Sequence, residues 1–288
     1  MHRRRFLQAG LSLGAATAAA SAHALTPIKR EQEARLKVSV AAYSYRQYLT
    51  GNPPRMTLPD FVDLCAKMGC DGVELTSYYF PGNVTTEYLV ALKRQCYLLG
   101  LDVAGTSVGN SFTKPPGAER DQQVASVTRW IERGAVFGAP AIRVFAGSTP
   151  QGSTDDEARR WVGECLLECV PAAAEHGVML ALENHGGVTA TADGVLAIIA
   201  QVESEWVGLN LDCGNYRTDP YAEIEKCAPY AVTTHIKTEV GGKAADLARI
   251  AEILKAAKYR GYLSLEYEAR EDPMTAVPRI VAELRALT

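Results

Sequence analysis

Four stretches of the sequence carry an apolar run into a residue that can bind a cation or move a proton. They are Glu183 in "VMLALENH", Asp212 in "VGLNLDCG", His235 in "AVTTHIKT" and Glu266 in "YLSLEYEA". Residues two apart share a face of a β-strand. On that rule Glu183 sides with His185 against Leu180 and Leu182, Asp212 with Asn210 against Leu209 and Leu211, His235 with Lys237 against Ile236, and Glu266 with Ser264 and Glu268 against Leu263 and Leu265. Three carboxylates brought to one place without a cation repel and drive protonation. A single divalent metal ion removes that conflict. Oxygen-rich ligation with one imidazole favours Mn²⁺ or Mg²⁺, and Co²⁺ and Zn²⁺ are compatible with the ligand types. Taken singly, each residue reads equally well as an ordinary loop or ion-pair group; the expectation rests on four in register.

The elements that must position them follow from hydrophobic period. Eight β-rich runs, at 36–44, 71–77, 101–108, 141–147, 178–185, 207–214, 231–238 and 262–269, alternate with stretches whose apolar residues keep helical spacing, such as Trp161, Cys165, Leu166 and Cys169, or Val195, Ile198, Ile199 and Val202. Strands alternating with helices pair in parallel through right-handed crossovers. Eight such units in this length define an α/β fold, a single (β/α)₈ TIM barrel, whose active sites lie at the C-terminal ends of the strands. A doubly wound open sheet is the competing architecture, but "AAYSYRQYLTGNPP" after the first run holds no glycine-rich phosphate turn. The separations of 29, 23 and 31 residues between the four candidates are one strand–helix repeat each.

The amino terminus reads differently. "MHRRRFLQAGLSLGAATAAASAHA", residues 1–24, has the twin-arginine signature at Arg3-Arg4-Arg5-Phe6-Leu7, a weakly apolar run and an A-x-A cleavage site at Ala22-His23-Ala24. The expectation is a signal peptide over 1–24 and a barrel over 25–288, placing the mature protein in the periplasm or otherwise outside the cytoplasm. The apolar run is short of the roughly 20 residues a spanning helix needs, so no stable membrane insertion is expected after cleavage. Removing three arginines leaves 27 basic against 33 acidic residues, a poor surface for a phosphate backbone, so no nucleic-acid partner is expected. The seven cysteines are odd in number and include no C-x-x-C pair, which argues against a disulfide framework. Cys165 and Cys169 read as small packed hydrophobes.

The motifs "LENH", "LDCGN", "HIK" and "LSLEYE", in this order and each after a strand, give a resemblance. The chain resembles the xylose-isomerase-like TIM barrels of the sugar phosphate isomerase/epimerase superfamily, which includes tagatose 3-epimerase-like enzymes, hydroxypyruvate isomerases and inosose dehydratases. The resemblance implies that Glu183, Asp212, His235 and Glu266 hold one divalent cation, with Glu268 the rival for the last place. It also implies that Glu183 and Glu266 form the acid/base pair. Where tagatose-epimerase-like members often have a histidine three residues after the metal aspartate, Asn215 stands here. The implied chemistry is removal of a proton α to a carbonyl through a metal-stabilised enediolate. Return of the proton gives an epimer or an aldose–ketose isomer, and loss of a β-oxygen gives elimination. Isomerase or epimerase is the first reading and lyase, acting on a 3-keto-glycoside or an inosose, the second. Export favours an unphosphorylated carbohydrate substrate, and the family suggests a homo-oligomer. Endonuclease IV, of the same superfamily, needs more histidines than the three left after residue 24. A non-catalytic sugar-binding protein would use the same mouth and is the third reading.

Residues around the four are less specific. His185 is a donor to substrate hydroxyls or a structural hydrogen-bonder; Lys237 steadies an oxyanion or pairs with a ligand carboxylate; Glu74 binds a substrate hydroxyl or pairs with Arg143. Of the aromatic residues in the first two loops only Tyr43 is nominated for substrate contact, the others being assigned to packing. The segment "NSFTKPPGAERD" after the third strand fits a lid or an ordinary surface loop.

Overall fold

A computed structural model describes residues 25–288. The expected signal peptide, residues 1–24, lies outside the described residues. Eight parallel strands close into a barrel in the order β1 (Arg35–Ala41), β2 (Gly72–Thr76), β3 (Asp102–Ser107), β4 (Ala141–Val144), β5 (Met179–Glu183), β6 (Val207–Asp212), β7 (Ala231–Ile236) and β10 (Arg260–Leu265), the last pairing back onto β1. The short strands β8 (Glu239–Val240) and β9 (Lys243–Ala244) form an antiparallel pair in the loop between β7 and β10. The expected single (β/α)₈ barrel is the observed fold.

Helices cover the barrel as the apolar spacing requires. The longest, Asp155–His176, buries Trp161, Cys165, Leu166 and Cys169 along one face. Thr154 caps it, its hydroxyl accepting from the Glu157 amide while the Glu157 carboxylate accepts from the Thr154 amide. Gly177 ends it in a left-handed turn (φ 66°) that most side chains resist, so the chain turns straight into β5. All seven cysteines are free and buried, consistent with their packing role. No described helix is long and apolar enough to cross a membrane.

Strand ends differ from the periodic reading. Ladders stop at Glu183, Asp212, Ile236 and Leu265, so His185, Lys237, Glu266 and Glu268 lie just beyond them. Alternation of side chains continues past the last paired residue, which is why period alone runs long. Register then aligns the candidates sideways: Glu183 lies opposite Asn210, Asp212 opposite His235, and His235 opposite Ser264. The Glu266 amide still donates to the Ile236 carbonyl at 2.9 Å, fixing the backbone one step past the strand.

The segment after β3 is tied down over its first half and is not a free lid there. Asn110 exchanges hydrogen bonds with the Phe145 backbone, the Phe112 and Thr113 amides donate to the Ala146 carbonyl, and Phe112 is buried.

At the opposite end of the barrel Asp102 accepts from Lys37 Nζ at 2.6 Å and from the Tyr262 hydroxyl at 2.5 Å, joining β1, β3 and β10. Those two bonds hold its carboxyl below the usual range. A carboxyl depressed in the folded state stabilises above its unfolded pKa, about 3.9, and that contribution is lost as pH falls through the lower folded value. Thermal unfolding midpoints should therefore fall between about pH 5 and pH 2, with a shallower acid limb in Asp102→Asn. Identical slopes in the two proteins would contradict this.

Candidate functional site

The mouth formed by the C-terminal ends of β5, β6, β7 and β10 collects the buried side chains of Glu183, Asp212, His235 and Glu266. One ligand-type atom each from Glu183, Asp212 and His235 lies within 4.8 Å of the others. Glu266 joins this group from the side, its Oε1 3.7 Å from His235 Nδ1. Glu268, its rival, is 39% exposed and meets Lys237 Nζ at 2.8 Å.

Glu183 is the most heavily supported carboxylate. Arg143 Nε lies 3.2 Å from its Oε2, Asn210 Nδ2 donates to the same oxygen at 2.9 Å, and His185 Nδ1 lies 2.6 Å from Oε1. Burial alone would raise its pKa, but Arg143, His185 and His235 together hold it well below the ordinary carboxylate range. Arg143 thus pairs directly with Glu183, and Glu74, weighed as its partner from the sequence, is a weaker Coulombic neighbour. Its guanidinium also lies 3.7 Å from the centre of the Phe145 ring, which packs against the His185 ring at 4.4 Å.

Asp212 shows the opposite balance. Its Oδ1 accepts from the Gly214 amide at 2.8 Å, whereas its buried Oδ2 accepts no hydrogen bond and lies 3.2 Å from the Lys237 ammonium. Burial pushes its carboxyl up to about 7, with Glu183 and Glu266 adding to the rise and Lys237 opposing it. An orphaned buried oxygen beside two further carboxylates and an imidazole fits a divalent cation, which would relieve the repulsion and give Oδ2 a partner. The buried Glu–Asp–His group could thus bind a metal ion.

Lys237 and Glu74 hold the remaining charge. Lys237 Nζ lies 3.2 Å from Asp212 Oδ2 and 3.3 Å from Glu266 Oε2, and it donates to Asn215 Oδ1 at 3.2 Å. The ion-pair reading of this lysine therefore describes its contacts here. Glu74 lies beneath the group, not open to the mouth. Its Oε2 is 2.8 Å from His235 Nε2 and accepts from Ser264 Oγ at 3.3 Å, and Ser107 Oγ donates to Oε1. His185 is the most accessible of these groups, its side chain 50% exposed. Tyr43 is half-buried, with the Arg46 guanidinium 5.0 Å from its ring centre.

Several contributors were not singled out from the sequence. Asn184 ties β5 to β6, its Nδ2 donating to the Asp212 carbonyl and its Oδ1 accepting from the Asp212 amide. Asn215 Nδ2 lies 3.4 Å from Glu183 Oε1 and 3.3 Å from His185 Nδ1, so the residue that departs from the resembled motif bridges three site residues. The adjacency in "LENHGG" was the available signal for Asn184. Gly187 in the same motif has φ 52°, and a β-carbon there would run into the Gly147 carbonyl oxygen, so the loop that carries His185 needs glycine at this point.

A closed parallel barrel with carboxylates and an imidazole gathered at its C-terminal mouth defines an enzyme-like class of small-molecule site. The chain belongs to the xylose isomerase-like TIM barrel family, whose profile matches residues 62–287. No curated protein matches the sequence. Among solved structures, the chain is similar to 3-keto-D-glucoside 4-epimerase from E. coli, with a TM-score of 0.71 and 19% identity over 88% of this chain and 100% of that one. It is also similar to an L-ribulose 3-epimerase, with a TM-score of 0.72 and 20% identity over 88% of this chain and 93% of that one. A third, the IOLI protein with a bound zinc atom, has a TM-score of 0.68 and 16% identity over 87% of this chain and 96% of that one. At these identities the likeness is one of fold.

Proposed function

We propose that the protein is a divalent-metal-dependent isomerase or epimerase of an unphosphorylated keto-sugar or related polyol ketone, acting through an enediolate. The observation that carries this is the convergence of ligand-type atoms from Glu183, Asp212 and His235 within 4.8 Å at the barrel mouth, with Glu266 beside them. Those four residues would hold the cation, Mn²⁺ by the hardness of the donor set. A cation bound there would supply Lewis-acid polarisation of the substrate carbonyl.

The chain's own groups supply the rest. Glu183, kept ionised by Arg143, and Glu266 are the pair that remove and return the proton α to the carbonyl. His185, with its half-exposed side chain, would hydrogen-bond a substrate hydroxyl. Lys237 sits between Asp212 and Glu266, where its ammonium can neutralise charge developing on a substrate oxygen. Glu74 accepts from the His235 Nε2–H, which leaves Nδ1 turned toward Glu183 and Glu266. On this reading Glu74→Gln lowers cation affinity by about 10–100-fold, as measured by calorimetric titration. An unchanged affinity would contradict that role.

The similar fold of a 3-keto-D-glucoside epimerase supports including oxidised glycosides among the substrates tested. The proposal extends to export by the twin-arginine segment, residues 1–24, and action outside the cytoplasm. Incubation of the purified protein and Mn²⁺ with ketohexoses or 3-keto-glucosides tests the function. Epimers or aldose–ketose isomers support it, release of an aglycone would make the protein a lyase using the same site, and no turnover of either class would overturn it.

A further inference from the structure

Beside the mouth, the loops after β1 and β2 enclose a groove of about 750 Å³, within the size range of sites that hold whole small-molecule ligands. Tyr78, Tyr79, Phe80 and Tyr88 supply its aromatic lining, and Thr50 and Asn52 line it too. None of the residues that line it carries a charge. Tyr78 is 47% exposed although it is a large aromatic residue.

The loop after β1, which leads into the groove, is tied to the segment that carries Glu266: Ser44 Oγ donates to the Leu265 carbonyl and accepts from the Tyr267 amide, both at 2.9 Å, and the Arg46 guanidinium donates to the Tyr267 and Glu268 carbonyls at 2.8 and 3.2 Å. On the other side, the Tyr78 ring fills the space where a β-carbon on Gly109 would stand, so the groove reaches the loop after β3. The groove therefore lies across the β1 and β2 loops, on the same face of the barrel as the carboxylate cluster and next to the segment that carries Glu266.

We propose that this groove is a second subsite that binds the neutral sugar ring attached through a glycosidic oxygen to the reacting keto-sugar, so that the substrate is a glycoside and not a free monosaccharide. The proposal rests on the reading of the mouth as a keto-sugar site. Aromatic faces, negative at the centre, suit the polarised C–H faces of a pyranose. Thr50 and Asn52 offer hydrogen bonds to hydroxyls. The uncharged lining gives no counter-charge for a phosphate or a uronate, and burying either there unpaired would be costly.

Binding of unoxidised sugars tests the subsite without turnover, so its outcome is independent of whether the keto-sugar reaction occurs. Glucose, cellobiose, maltose and trehalose are titrated into the full-length protein by calorimetry and saturation-transfer NMR. At least one disaccharide is expected to bind about tenfold more tightly than glucose. Tyr78→Ala should remove that difference while the protein stays folded, since the exposed ring supports little of the core. Gly82→Trp, at a position with open space around it, should have the same effect by filling the groove. Equal affinity for mono- and disaccharides, no binding of any of them, or a preference that survives both substitutions overturns the proposal.

Discussion

Glu266→Gln is expected to lower kcat by about 10²–10⁴-fold while the protein stays folded. The carboxylate contacts Lys237 Nζ at 3.3 Å and His235 Nδ1 at 3.7 Å, and Lys237 keeps Asp212 and Glu268 when Glu266 is neutralised. On the proposed function the substitution therefore removes a proton acceptor and a cation ligand from the mouth, and it does so without leaving the Lys237 ammonium unpaired. Steady-state kinetics on whichever keto-sugar is turned over, beside a thermal melt, separates the two effects. A kcat within tenfold of the parent would remove Glu266 from the acid/base pair, and the proton transfer would then have to involve another group.

The second large effect concerns stability. Arg143 and Glu183 are both buried and 3.2 Å apart. Arg143→Met should destabilise the protein by about 3–5 kcal/mol, because Glu183 would keep its charge in a site that has lost its nearest cation. Asn210 and His185 still bond to Glu183, which limits the loss. In the double variant Arg143→Met/Glu183→Gln the buried charge is gone, and about 0.5–3 kcal/mol of the loss should return as coupling energy. Urea unfolding of the parent, the two single variants and the double variant closes the cycle. Strictly additive losses would show that the two side chains do not act as a pair.

Much of this site was legible in the sequence because a parallel barrel repeats. Each strand ends at the same face, so a ligand-type residue at the end of an apolar run has a known destination, and Glu183, Asp212 and His235 arrive there together. Glu266 is placed at the mouth by one backbone bond past the ladder, which strand period anticipates. The contacts that cross the barrel were not legible. His235 and Glu74 are 161 residues apart and meet only because β2 and β7 face each other through the interior. Glu74, read as a group at the mouth, is instead enclosed by His235, Ser264 and Ser107. The pairing of Arg143 with Glu183 depends on rotamers that no spacing specifies. The aromatic residues of the first two loops carry no period at all; Tyr79 packs against the core, as expected, and spacing could not show that Tyr78 and Tyr79 also line the groove.

The proposed function requires one divalent cation held at the mouth by Glu183, Asp212, His235 and Glu266. Calorimetric titration of Mn²⁺ into metal-stripped protein tests it most directly, with Asp212→Asn as the comparison because Asp212 Oδ2 has no hydrogen-bond partner to lose. The expected result is one Mn²⁺ bound per chain in the parent and a large loss of affinity in the variant. Absence of stoichiometric binding in the parent, or equal binding in Asp212→Asn, would contradict it.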